Sequence, residues 1–142
     1  MRIASILENH KIEKRIAITP DIAKKYIALG FEISIVEKYG EHLGFKDNNY
    51  KELGVKIFNN EAETLTNGDV IIQLGLLSDE NLSSLKENQT LIGALNPYVN
   101  KKKIENLSKK NINIFSLEML PRITRAQSMD ILSSQANLAG YK

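Results

Sequence analysis

The sequence predicts an α/β domain built on a doubly wound, mostly parallel sheet with helices on its faces. Three observations predict it. Short apolar, β-branched runs alternate along the chain with stretches that carry helix start and stop signals. The connections between them are short, and right-handed crossovers then leave few other topologies. Residues 69–74, DVIIQL, form a nearly continuous apolar run, as in a parallel-sheet strand buried on both faces.

Residues 2–7 read as a short buried strand, followed by the polar loop ENHKIEKR. Thr19 followed by Pro20 predicts a helix start, with Thr as N-cap and Pro at the first helical position. That helix is expected over 20–29 with Gly30 ending it. Residues 31–36 are the next strand, rich in β-branched side chains. A glycine-bearing loop over 37–47 leads to a short helix that ends at Gly54. A third strand covers 55–58 and a second short helix 60–65. Asn67 and Gly68 predict a turn before the 69–74 strand. Another helix starts at Ser78 or Asp79 and ends near Lys86. A strand at 90–95 breaks at Asn96–Pro97, a helix spans 100–109, and the last strand covers 112–117. The result is one α/β domain, residues 1–142, of the flavodoxin-like kind.

Bulk properties limit what such a domain does. Hydrophobic residues make up 42% and charged residues 25% of the 142, as in soluble globular proteins. A net charge of +2 with dispersed lysines argues against a nucleic-acid surface. The absence of cysteine excludes disulfides, thiol nucleophiles and cysteine metal sites. No apolar run approaches the length of about 18 residues that a membrane span needs, and the N-terminus lacks a signal-peptide pattern. The eight glycines, at 30, 40, 44, 54, 68, 75, 93 and 140, nowhere form G-x-G-x-x-G, so the phosphate-binding turn of a dinucleotide fold is absent. His10 and His42 lie in polar loops without a neighbour at metal-ligand spacing and read as surface residues.

The candidate site is the tail, residues 121–142, PRITRAQSMDILSSQANLAGYK. Thr124 and Gln127 have the T-x-x-Q spacing of a capping box, which predicts a helix starting there. In that helix Gln127, Asp130, Ser133, Ser134 and Asn137 share one face. Met129, Leu132, Ala136 and Ala139 share another and are expected to pack inward. Arg122 and Arg125 stand beside the positive helix end. Such a varied donor and acceptor set can hold a flat polar ligand. A polar helix face is also what an ordinary wet face looks like, with Gln127 only capping and Arg122 a surface cation.

PRITRAQSMD followed by SSQANLAGY closely resembles the segment of proton-translocating NAD(P) transhydrogenase alpha subunits that reaches the nicotinamide end of NAD(H). The likeness runs along the whole chain, and extends more weakly to alanine dehydrogenase, whose N-terminal domain is similar. The resemblance implies that Arg122, Asp130 and Ser133 hold the NAD(H) nicotinamide end. It implies that Gln127 bridges toward NADP(H) on another subunit, and that backbone groups of Ile123 and Thr124 add contacts. Gln127 and Asp130 are the residues it places nearest the reaction. NAD(H) is then bound mainly by a domain outside this chain, into which the final helix leads. The implied partners are that NAD-binding domain, an NADP-binding beta subunit and membrane domains. A homodimer is implied for the intact subunit, at the cytoplasmic side of the bacterial inner membrane. This chain alone is expected to be inactive.

Two alternatives stay open. One is a fragment of an alanine-dehydrogenase-type enzyme, in which the arginine at Arg15 resembles a clamp for the substrate carboxylate. Here Arg15 is expected to be a surface cation. Gln73 stands where those enzymes carry a substrate-binding lysine, and the LNPYV stretch around Asn96 where they carry a catalytic histidine. The acid/base pair for oxidative deamination is therefore missing. The other alternative is a non-catalytic binding module with the same fold.

Overall fold

The computed structural model describes residues 1–141, and within them local chemistry sets most element ends. Strand β1 (Arg2–Ser5) leads through the loop 6–19 to helix α1 (Pro20–Ala28) and strand β2 (Glu32–Val36). Then come α2 (Asp47–Lys51), β3 (Lys56–Phe58), α3 (Glu61–Asn67), β4 (Val70–Ile72), α4 (Asp79–Ser83), β5 (Thr90–Gly93), α5 (Lys101–Lys109) and β6 (Asn113–Ser116). The tail holds two 3-10 turns, Leu117–Met119 and Thr124–Met129, and then α6 (Ile131–Tyr141). Side-chain caps start α1, α3 and α4. Thr19 Oγ1 accepts from the Ile22 N–H at 3.3 Å, Asn60 Oδ1 from Glu63 at 2.7 Å and Ser78 Oγ from Asn81 at 3.3 Å. Gly30 stops α1 at φ +89°, a backbone region that disfavours side chains with a Cβ.

All six strands are parallel, in the order β3-β2-β1-β4-β5-β6. The doubly wound parallel sheet is therefore as the sequence predicts, in its six-stranded order. Ile3, Ile33, Ile35, Ile71 and Leu91 are buried along its middle. Several elements are shorter than expected, with β1 ending at Ser5, α4 at Ser83, β5 at Gly93 and β6 at Ser116, and two further details differ. The strand expected over 69–74 is shorter, Val70–Ile72, and only Ile71 is fully buried in it. Its neighbours face the side on which Ile72, Ile92 and Phe115 stand in register, and Phe115 is 59% exposed. Asn67 is the last residue of α3 rather than half of a separate turn. At Gly93 the backbone of β5 runs so close to β4 that a Cβ would lie 2.3 Å from the Gln73 carbonyl oxygen.

The strand order reverses between β1 and β4, and there the ladder is brief: Ile3 pairs Val70 and Ala4 pairs Ile71. Beyond it the two chains part, and Gln73 fills the gap. Its Oε1 accepts from Ser5 Oγ and from the Ile6 N–H, both at 2.8 Å. Its Nε2 donates to the Ile6 carbonyl at 3.2 Å and to Glu8 Oε1 at 3.1 Å. Ser5 has a single proton and gives it to Gln73, so the Tyr39 hydroxyl, 2.8 Å from Ser5 Oγ, must donate to Ser5. Tyr39 in turn accepts from the Ala17 and Ile18 N–H groups at 3.1 and 3.2 Å. Tyr50 donates to the Ile18 carbonyl at 2.9 Å. The two tyrosine rings meet edge to face, 6.1 Å apart. This buried chain of hydrogen bonds ties β1 to β4 and holds the 6–19 loop against the sheet.

Two outcomes follow. Gln73→Ala strands the Ser5 hydroxyl and the Ile6 amide, and is expected to cost on the order of 3 kcal/mol in urea unfolding. Burial pushes the Tyr39 hydroxyl up to about 12. A group whose folded value is raised gives stability that is complete below its unfolded value, about 10, and lost as pH rises through the folded one. The urea midpoint should therefore fall between about pH 10 and 12. Tyr39→Phe should flatten that fall without abolishing it, because burial also raises Tyr50.

Candidate functional site

In this strand order a ligand usually sits at the carboxyl ends of the strands, where the order reverses. Here the chain's own groups line that crevice, which opens on a cavity of about 520 Å³ bordered by Ile6, Glu8, Lys11, Gln73 and Ser78. The Glu8 carboxylate accepts from the Leu74 N–H at 2.6 Å and from Gln73. Burial, outweighing the amide hydrogen bonds it receives, holds Glu8 above the usual carboxylate range. With a carboxylate there and no glycine-rich turn, the crevice offers nothing to a pyrophosphate.

A second open space lies beside it, over the ends of β4 and β5. A cavity of about 900 Å³ is floored by Gln73, Leu74 and Ala94, with Arg15 from the 6–19 loop. The tail supplies its other wall, from Leu117, Glu118 and Leu120 to Arg122, Ile123, Gln127, Asp130, Ser133 and Gln135. Its size is in the range of small-molecule sites, and apolar side chains alternate with a few charged and amide groups. Ala126, the one buried residue of its 3-10 turn, roots that stretch.

The tail has a different local structure from the one its spacing predicts. Thr124 makes no cap bond, and Ile123 precedes a 3-10 turn rather than an α-helix. The chain is extended at Asp130, with φ −74° and ψ 99°, and the α-helix starts at Ile131. The physical cause is Asp130 itself. Its Oδ1 accepts from the Leu132 and Ser133 N–H groups at 3.0 and 3.1 Å, and its Oδ2 accepts from Ser133 Oγ at 2.7 Å. A carboxylate satisfied this way favours the N-cap position over the helix interior. The Ser133 hydroxyl bond, with the Ser133 and Leu132 amides and Arg122 nearby, holds Asp130 below the usual carboxylate range.

The expected inward face is also overturned. No residue of α6 is buried, Leu132 is 67% exposed, and the main packing of α6 among the described residues is against the Leu117–Met119 turn. Met129 and the alanines 136 and 139 are likewise exposed. The cavity nevertheless gathers Arg122, Ile123, Gln127, Asp130 and Ser133, while Thr124, Arg125, Ser134 and Asn137 do not line it.

Arg15 is an exposed cation, as the sequence suggests, but it is fully engaged. Its Nε and Nη2 donate to the two Glu13 oxygens at 2.8 and 2.6 Å, and Nη1 donates to Gln135 Oε1 at 2.8 Å. Spacing does not single out Gln135 or Glu13, since the bond to Gln135 spans 120 positions. Glu118 carries no sequence signal either. It accepts from the Ser116 hydroxyl and from the Asn96 N–H at 2.7 Å. Burial raises it, but those hydrogen bonds prevail and leave it below the ordinary range. Asn96, at φ +48°, thus serves a loop contact. His10 and His42 are exposed as expected, with ring centres 3.9 Å apart and planes tilted by 36°, and His42 Nε2 lies 2.7 Å from the Lys14 carbonyl. Among the described residues there is no cluster of three or more metal-ligating side chains, and no helix is long and apolar enough to cross a membrane.

Comparison with known proteins places this geometry in a family. The first part of NAD(P) transhydrogenase subunit alpha from Rickettsia prowazekii is 38% identical over all of this chain and 38% of its own length. The protein of the same name from Rhodospirillum rubrum is 37% identical, again over all of this chain and 38% of its own length. The chain thus spans about two fifths of these curated relatives. The crystal structure of transhydrogenase from Sinorhizobium meliloti superposes with a TM-score of 0.86 at 34% identity, over 98% of this chain and 42% of that one. Residues 6–139 match the family described as alanine dehydrogenase/PNT, N-terminal domain. With a whole-chain match to its transhydrogenase members, this chain belongs to the alanine dehydrogenase/PNT N-terminal domain family.

Proposed function

We propose that this chain is the N-terminal region of a proton-translocating NAD(P) transhydrogenase alpha subunit, and that its cleft receives the nicotinamide end of NAD(H). The observation that carries this reading is the convergence of Arg122, Gln127, Asp130 and Ser133 on one cavity of about 900 Å³. The cavity adjoins a switch point whose strand ends are bridged by Gln73 and Glu8. The donor set fits such a group. Arg122 donates to a carboxamide oxygen, while the ionised Asp130, fixed by Ser133, accepts from amide or ribose donors. Ile123 contributes from the wall, and the backbone of Thr124 next to it. Gln127 reaches outward toward NADP(H) carried by the partner subunit. The apolar Leu74, Ala94, Leu117 and Ile131 keep water from the ring.

The paired nicotinamides supply the hydride and its acceptor. The chain's role is to orient one ring and exclude solvent, which needs no acid or base at the reacting carbon. This fits the absence of a lysine at Gln73 and of a histidine at Asn96. The alanine-dehydrogenase reading asks Arg15 to clamp a substrate carboxylate, yet its fork is already bidentate on Glu13. In the whole enzyme the phosphates are held by the NAD-binding domain. Proton passage falls to membrane domains at the cytoplasmic face of the inner membrane, with the intact subunit a homodimer.

The test is hydride transfer by the complete alpha subunit mixed with its NADP-binding partner. Arg122→Ala and Asp130→Asn should each slow transfer by roughly 10- to 100-fold, and the 142-residue chain alone should give none. Unchanged rates in both variants, or turnover by the chain alone, would remove the reading.

The depressed Asp130 carboxyl also fixes a sign. It stays ionised throughout the pH range above the ordinary carboxylate value and loses its charge only as pH falls through its own lower one. The rate profile should therefore show no Asp130 limb above about pH 5. A limb in that range that disappears in Asp130→Asn would contradict it.

A further inference from the structure

Helix α6 carries Ser133 and begins at Asp130, yet it has no buried residue. Its main packing partner among the described residues is the Leu117–Met119 turn. One hydrogen bond among the described residues joins its side chains to the sheet end of the molecule, Arg15 Nη1 to Gln135 Oε1 at 2.8 Å. Gln135 lies two residues beyond Ser133, within the first turns of the helix. The arginine is itself held rigid. Glu13 takes its Nε and Nη2 and also the Arg15 backbone N–H, at 2.9 Å. The loop bearing both residues is clamped in turn by Tyr39 and Tyr50 at Ala17 and Ile18.

We infer that Arg15 is a positioning residue: braced by Glu13, it latches α6 through Gln135 and so fixes where Asp130 and Ser133 stand in the cleft. This rests on the reading of the cleft as the nicotinamide site, and it adds a residue outside the tail to that site. An exposed ion pair contributes little to global stability. A single hydrogen bond from a charged donor decides more where a helix has few other contacts, because the guanidinium, held bidentate by Glu13, reaches Gln135 with its geometry already set. Losing it is expected to shift the docked-to-undocked ratio of α6 by on the order of 10-fold.

Two measurements test this. In the chain itself, amide hydrogen exchange over Ile131–Tyr141 should speed up on the order of 10-fold in Arg15→Ala and equally in Gln135→Ala. The double variant should be no faster than either. Gln135→Glu, which keeps an acceptor facing Arg15, should remain protected. In the complete alpha subunit with its NADP-binding partner, each single variant should lower kcat on the order of 10-fold with little change in the KM for NADH. The urea midpoint should hardly move, which a merely structural residue would not allow. Unchanged α6 exchange, additive effects, or a kcat loss that tracks the urea midpoint would overturn the latch. If Arg122→Ala slows transfer while Arg15→Ala and Gln135→Ala are silent, the latch alone is wrong. If Arg122→Ala is also silent, the reading of the cleft fails with it.

Discussion

Where β1 and β4 part, each strand leaves polar groups that its neighbour does not satisfy, and the Gln73 amide answers them. Its oxygen serves Ser5 and Ile6, and its nitrogen serves Ile6 and Glu8. Buried polar groups are costly unless every partner is present, so a network that is fully satisfied also defines one arrangement. The proton order is set by valence: Tyr39 gives to Ser5, and Ser5 gives to Gln73. Everything at the carboxyl end of the sheet is referenced to that chain. Tyr39 and Tyr50 take the backbone of Ala17 and Ile18, the loop then presents Arg15, and Arg15 reaches α6.

A sheet of this order can seat a dinucleotide's phosphates at its own reversal point, given a glycine-rich turn and a free helix start. This chain has no glycine-rich turn, and Glu8 places a carboxylate in that location. What it retains is the flank of the crevice, where a tail of mixed polarity overhangs the ends of β4 and β5. The geometry suits one end of an elongated ligand rather than the whole of it. On the proposed function this is a division of labour, with one domain anchoring the phosphates and another orienting the ring. Hydride transfer tolerates such a division, because the chemistry asks for placement and dryness rather than for proton donors.

The sheet and its helices were largely legible in the sequence because their determinants are local. Thr19 before Pro20, Asn60, Ser78 and Gly30 act within one helical turn of themselves, and each does in the structure what its chemistry predicts. The network around Gln73 was not legible. Its partners lie 67 and 68 positions away and meet only once the sheet exists. The tail was half legible. Resemblance supplied the residues, and most of them do line one cavity. Spacing alone misplaced the helix start, because the T-x-x-Q pattern at Thr124 competed with Asp130, whose carboxylate caps the helix by accepting two amides and a hydroxyl. An inward apolar face was expected of α6 from periodicity, but periodicity says only that a face exists, not that anything in this chain covers it.

The central claim is that this cavity orients a pyridine ring whose phosphates are held by another domain. The most direct test is a crystal structure of the complete alpha subunit with NAD(H) bound. The account predicts the ring inside the cavity, with its carboxamide about 3 Å from Arg122 or Asp130 side-chain atoms. A ring outside the cavity, with Arg122 and Asp130 bonded only to protein and water, would contradict it.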